Sequence, residues 1–307
     1  MPKAEPEKRK IQMADIARLA GVSTATVSRA LNGSSLINEE TRLRIIELAR
    51  SLNYTINLGA QNLRKGDNTT IGVVIPYDSA NRQSISDPFF LGMLGSLADA
   101  LTDRQYDMLL SRVDADHLDR VSALYDSGRV GGIIVIGQWG HHDQLNELAR
   151  QRLPFVAWGA QLPNQLYCSV GGDNASGGQL AAEHLLGLGR KRIAFMGEKS
   201  LPEPEKRYAG YQKALRKAGM KMDSSLYIPS SFAPLSAQEA LRLHLDRHGL
   251  NFDALVAASD LIAISALGVL RERGYRVPED VSVVGYDDVE PAAVSYTHLR
   301  AHETKAN

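Results

Sequence analysis

The chain has a single cysteine, Cys168, in 307 residues. One cysteine cannot form an internal disulfide, so a reducing compartment, the cytoplasm, is expected. No apolar run reaches the length of about 20 residues that a membrane span needs, and the N-terminus is charged rather than signal-like. A membrane partner is therefore not expected. The usual marks of catalysis are missing too. No Ser-His-Asp set has a supporting context. The run Gly171-Gly172-Asp173-Asn174-Ala175-Ser176-Gly177-Gly178 lacks the Gly-Lys-Ser/Thr ending of a phosphate loop and reads as a strand-to-helix turn capped by Asp or Asn. His141 and His142 are adjacent and share no helix face, and His298 and His302, spaced i, i+4, have no Glu between them to act as a base. Asp287-Asp288 has no visible metal partners. No catalytic residue, metal or cofactor is implied.

Net charge is also lacking, but only in sum. Residues 1–65 hold 11 Lys/Arg against 6 Asp/Glu, or +5, so the remainder, with 24 against 29, carries −5. A basic end on an acidic body suggests a nucleic-acid module joined to something else.

That basic end contains the most patterned stretch in the chain. Met13, Ile16, Ala17 and Ala20 fall at i, i+3, i+4, i+7, an apolar helical stripe, and Gly21 follows as a turn. Ser23 can cap a second helix and Asn32-Gly33 can stop it. In that helix Val27 and Leu31 share one face, while Thr24, Ala25, Ser28 and Arg29 form another. Small residues let a helix seat deep in a major groove, and Arg can donate twice to a guanine edge. Helix, glycine turn and capped helix make the helix-turn-helix layout, whose second helix reads bases. An ordinary helix pair has the same spacing. The basic flanks and the lack of Glu/Lys pairs on the exposed face count against that reading. Asn38-Glu39-Glu40 opens a third helix with Ile45, Leu48, Ala49 and Leu52 as its stripe.

Residues 11–66 resemble the DNA-binding headpiece of the LacI/GalR family of bacterial transcriptional regulators. The likeness rests on Asp15-Ile16-Ala17-Arg18-Leu19-Ala20-Gly21-Val22-Ser23-Thr24-Ala25-Thr26-Val27-Ser28-Arg29, then Leu31-Asn32, then Leu52-Asn53-Tyr54. By this resemblance Thr24, Ala25 and Arg29 sit at base-reading positions, and Ser23, Thr26, Asn32 and Tyr54 at backbone-contact positions. Residues 56–68 would form a hinge helix on operator DNA, with Leu63, helped by Ala60, wedged into the minor groove. Three positions depart from the family's pattern: Gln12 for a capping Thr, Ile56 for Pro, and Gln61 for Arg.

From Thr70 the pattern becomes alternating strand and helix. Ile71–Ile75, Met108–Leu110, Ile133–Ile136, Phe155–Trp158, Ile193–Met196, Leu255–Ala257 and Val281–Val284 read as strands, with helical patterns between most of them. This alternation predicts a doubly wound α/β body with parallel sheets, long enough for two lobes. The expected fold class is thus an all-α helix-turn-helix headpiece plus an α/β two-lobed domain. The expected division is a disordered arm (1–10), a DNA-binding domain (11–55), a hinge (56–68), an N-terminal lobe (69–170) and a C-terminal lobe (171–291, incomplete). The body resembles the family's periplasmic-binding-protein-like effector domain. That implies a small-molecule effector contacted by Phe89, Phe90, Arg207, Phe232, Ser259 and Asp287; aromatic faces with Arg and Asp suit a sugar or sugar derivative, with a purine or other small metabolite as the alternative. Trp158-Gly159 stands where many members have an Asp, and Ser259 where they often have Asn, so an effector unlike that of well-known members is expected. Residues 292–307 look non-native: they resemble a translated adapter tail, where the family would continue for about 40 residues, roughly a third of a domain.

The resemblance implies a cytoplasmic, homodimeric repressor of double-stranded operator DNA under effector control, not an enzyme. Two other classes share the fold: a solute-binding protein, which would need a secretion signal, and a sugar-acting α/β enzyme, which would need a catalytic pair.

Overall fold

The computed structural model describes residues 11–31, 33–52, 54, 68–77 and 84–294. The expectations for the arm, for Asn32, Ala60 and Leu63, and for the tail beyond 294 lie outside these residues. The chain separates into two units, 1–66 and 67–307.

Among the described residues the first unit has three helices, α1 (Met13–Ala20), α2 (Thr24–Leu31) and α3 (Glu39–Ser51). The first turn of α1 is closed by Asp15, whose carboxylate accepts from the Gln12 N–H at 2.9 Å, so the departure at Gln12 does not cost the helix its start. Gly21 stops α1 at φ +67°, a left-handed conformation that glycine adopts without a Cβ penalty. Asn38 accepts from the Thr41 N–H at 2.8 Å and starts α3 as expected. The core holds Ile16, Ala17, Val27, Ala30, Ile45 and Ala49. Ala30 takes the fully buried place expected of Leu31, which is only partly covered.

The second unit holds two parallel sheets. The first has order β2-β1-β3-β4-β5, from β1 (Thr70–Tyr77), β2 (Asp107–Asp114), β3 (Gly132–Ile136), β4 (Phe155–Trp158) and β5 (Cys168–Val170). Among the described residues its helices are α4 (Pro88–Thr102), α5 (Arg120–Asp126) and α6 (His142–Arg150). The second sheet has order β7-β6-β8-β9, from β6 (Ile193–Met196), β7 (Tyr227–Ile228), β8 (Ala254–Ala257) and β9 (Ser282–Val284). It packs with α7 (Asn174–Gly187), α8 (Pro202–Lys217), α9 (Pro234–His248) and α10 (Asp260–Glu272), and α11 (Glu290–Val294) follows. Every residue of β6, β8 and β9 is buried, as parallel strands covered on both faces should be. β5 and β7 were not expected. Both are very short edge strands, and in β5 Cys168 and Val170 are exposed, so neither carries a readable apolar run.

Candidate functional site

In the headpiece, Ser23 caps α2: its Oγ accepts from the Thr26 N–H at 3.1 Å and lies 2.9 Å from the Thr26 hydroxyl. Burial of Val27 and Ala30 turns the opposite face outward, leaving Thr24, Ala25 and Arg29 exposed and Ser28 half-buried. Arg29 makes no ion pair among the described residues. Tyr54 packs against the small core, and Arg44 donates to the Ala20 carbonyl at 3.2 Å, tying α3 to the end of α1. A short helix with small residues and one cation facing out has the shape and donors to enter a major groove.

In the second unit a cleft of about 640 Å3, open mouth included, lies beyond the carboxyl ends of both sheets. This is where α/β folds place ligands. The side belonging to the first sheet is aromatic. Asp87 caps α4 by accepting from the Phe89 N–H at 3.0 Å, which starts the helix so that Phe89 and Phe90 line the cleft. Phe89 lies 5.6 Å from Phe90 and 6.5 Å from Trp158, ring centre to ring centre. Ile136, Gly137, Trp139 and Trp158 follow from the ends of β3 and β4. Behind them Gln138 donates to the Ala160 carbonyl at 2.8 Å and to the Tyr167 hydroxyl at 2.9 Å, pinning both loops. Burial pushes the Tyr167 phenol up to about 12, so it stays a neutral hydrogen-bonding group.

The side belonging to the second sheet is polar and centred on Arg207 of α8. That helix crosses α7 at close quarters. A Cβ on Gly178 would lie 1.9 Å from the Arg207 carbonyl oxygen, and one on Gly210 would lie 1.9 Å from that of Ala175. Only glycines permit this approach, and it brings Arg207 against Asn174, the first residue of α7. Asp173 caps α7 through the Ser176 N–H at 2.9 Å, as the sequence suggested, and that bond holds its carboxyl below the usual range. Asn174 donates to the Gly172 carbonyl and accepts from Arg207 Nε at 2.8 Å. Arg207 Nη1 donates to the Ala258 carbonyl, Nη2 lies 3.6 Å from Asp287 Oδ1, and the guanidinium stacks 3.6 Å from the centre of the Tyr286 ring. Asp287 has φ +106°, a strained value for a side chain of this kind. Such strain persists where surrounding contacts enforce it, often at binding sites.

Five of the six expected effector contacts therefore meet in the cleft: Phe89, Phe90, Arg207, Phe232 and Asp287. Ser259 does not join them. It is 2% exposed and its Oγ accepts from the Ile262 N–H at 3.2 Å, capping α10. The family resemblance suggested a contact at this position; the serine here serves as a helix cap. Seven lining residues were not among the expected contacts, and four of them, Asp87, Trp139, Trp158 and Glu203, are acidic or aromatic. Trp158 had been marked only as a departure. Glu203, in the first turn of α8, looks in sequence like an ordinary helix-start acid. Burial raises its pKa above the usual range, against the opposing pull of its own backbone N–H, Arg207 and the Ala160 N–H.

Comparison with known proteins agrees with both halves. Residues 12–57 match the family model for bacterial regulatory proteins of the lacI family, and 182–303 match the periplasmic binding protein-like domain. The chain is 34% identical over 278 residues to the HTH-type transcriptional regulator CelR of Thermobifida fusca, covering 89% of this chain and 81% of that one. It is 29% identical over 285 residues to the HTH-type transcriptional repressor PurR of Haemophilus influenzae, covering 90% and 80%. Among solved structures, a complex of the transcriptional regulator CelR with cellobiose matches with a TM-score of 0.66 at 31% identity, covering 93% of this chain and 85% of that one. The lac repressor dimer bound to operator and the anti-inducer ONPF matches with a TM-score of 0.77 at 25% identity, covering 92% and 84%. Among the described residues no helix is long and apolar enough to cross a membrane. A helix-turn-helix headpiece, a two-sheet α/β body and relatives matched along most of their length lead to one conclusion: the chain belongs to the LacI family of bacterial regulatory proteins and is a DNA-binding transcriptional regulator, not an enzyme.

Proposed function

We propose that this regulator is a cytoplasmic homodimeric repressor whose grip on a near-palindromic operator is set by a sugar bound between its two lobes. The observation that carries the reading is the cleft, which joins stacked aromatic side chains to the Arg207–Asp287 pair at the carboxyl ends of two parallel sheets. Aromatic faces suit the C–H faces of a sugar ring, and an oriented guanidinium and carboxylate suit its hydroxyls. The CelR structure, a relative's complex with cellobiose, supports the ligand class, and the lac repressor structure, a dimer on operator, supports the assembly.

In this reading Thr24, Ala25, Ser28 and Arg29 face base edges, and Ser23, Thr26, Asn32 and Tyr54 hold the phosphate backbone. Ala60 and Leu63 act at the minor groove. Two copies of α2 occupy successive major grooves. Effector and operator affinities are linked by a coupling of about 1–3 kcal/mol, and the linkage is reciprocal.

The test is a titration of the full chain with its own promoter and with random duplex at physiological salt. Preference for the promoter is expected, and Arg29→Ala should weaken promoter binding by about 10–100-fold, the worth of one bidentate base contact. Equal affinity for both duplexes, unchanged by Arg29→Ala, overturns the DNA half. Sugar affinity that is the same with and without operator overturns the coupling.

A further inference from the structure

The charge of the ligand can be read from the same cleft; this step rests on the sugar-sensing reading above. Among the described residues the lining holds three carboxyl side chains, Asp87, Glu203 and Asp287, and one cation, Arg207. The cation is already engaged. Its Nε and Nη1 serve Asn174 and Ala258, Nη2 faces Asp287, and its flat side lies on Tyr286. It therefore enters the cleft as half of an ion pair whose net charge is near zero. Asp87 is directed to the start of α4. Glu203 is different: it is half-buried, faces the cleft, and makes no salt bridge among the described residues. Burial makes its charge costly against the pull of Arg207 and two backbone N–H groups, so an entering anion either faces that charge or adds the work of protonating it. A phosphate or carboxylate entering this space would stand beside Glu203 and would have to compete with Asp287 for Arg207. Sugar hydroxyls meet no such opposition, because they donate to Glu203 and Asp287 and accept from Arg207.

We propose that the cleft is a charge filter, open to uncharged sugars and closed to their phosphorylated or carboxylated counterparts, and that Glu203 is the residue that sets it. A like-charge contact about 5 Å away in a protein-like dielectric corresponds to roughly a 100-fold loss in affinity.

The experiment is calorimetric titration of the full chain with paired probes. Neutral pentoses, hexoses and disaccharides, cellobiose included, are each set against their phosphate ester or uronic acid. Each neutral binder should exceed its anionic partner by about 100-fold. In Glu203→Gln the ratio should fall to about 10-fold or less, because the amide keeps the size and removes the charge. A ratio taken on one protein cancels any loss of folded material. An anionic partner that binds wild type as well as its parent overturns the filter and leaves the sugar reading standing. An unchanged ratio in Glu203→Gln overturns the assignment to Glu203. Binding by no member of either series removes the sugar reading and the filter with it.

Discussion

The two sides of the cleft are built from different materials. The first sheet contributes Phe89, Phe90, Trp139 and Trp158, and the second contributes Glu203, Arg207 and Asp287, with Phe232 as its one aromatic. Aromatic contact is graded: each ring adds area and losing one leaves the others. The polar side is a network in which Arg207 holds Asn174, Ala258 and Asp287 together, so removing one member disturbs all of them. A ligand that needs both kinds of contact must touch both lobes. That requirement makes a two-lobed body able to respond to it.

Breaking the network should therefore have the largest effect. Arg207→Ala removes the donor to the buried Asn174 amide and the Ala258 carbonyl, and the cation 3.6 Å from Asp287. We expect a loss of about 3–5 kcal/mol in stability, the usual cost of breaking a buried pair, and at least about a 100-fold loss of sugar affinity. Arg207→Lys should recover little of either, since an ammonium cannot serve three directions in one plane. Thermal melting and calorimetric titration measure both. Near-normal binding by Arg207→Ala would mean that the polar side is no network, and the contrast between the two sides would be lost.

A change on the aromatic side should be milder. Trp158→Ala removes one wall of several and should cost about 10-fold in sugar affinity, within the roughly 1–3 kcal/mol of a partly exposed aromatic anchor. Trp158→Phe should restore most of it. If Trp158→Ala instead abolishes binding as fully as Arg207→Ala, the rings act as a single unit and the graded picture fails.

The sequence disclosed these two sides unequally. Strands of four or more residues with apolar runs were legible: Phe155–Trp158 and Ile193–Met196 fall at the expected residues, the second of them buried throughout. Phe89 and Phe90 were reached through their place in the loop after a strand together with the family resemblance, since local pattern alone equally suits inward packing. Glu203 was not, because an acid in the first turn of a helix has an ordinary explanation and only the fold turns it toward the cleft. Trp139 and Trp158 stand at loop and strand ends, where nothing in local periodicity separates a core ring from a ligand-facing one. The close crossing through Gly178 and Gly210 was equally hidden. Glycines inside a helical pattern do not reveal which other helix they approach.

Ser259 offers the smallest and sharpest test, because position and role part company there. It follows a strand on the polar side of the body, as an effector contact should. Yet its hydroxyl accepts the Ile262 N–H and it is almost fully buried. If it serves α10 alone, Ser259→Ala should lower stability by about 1 kcal/mol, the typical worth of a capping hydroxyl. Affinity for the tightest-binding sugar should stay within about twofold, since the Arg207 network does not pass through its side chain; about 1.4 kcal/mol would be needed for a tenfold change. Melting and titration of the same preparation separate the two. An affinity loss without a stability loss would return Ser259 to the ligand. The polar side would then extend to the start of α10, beyond the three groups now seen lining it.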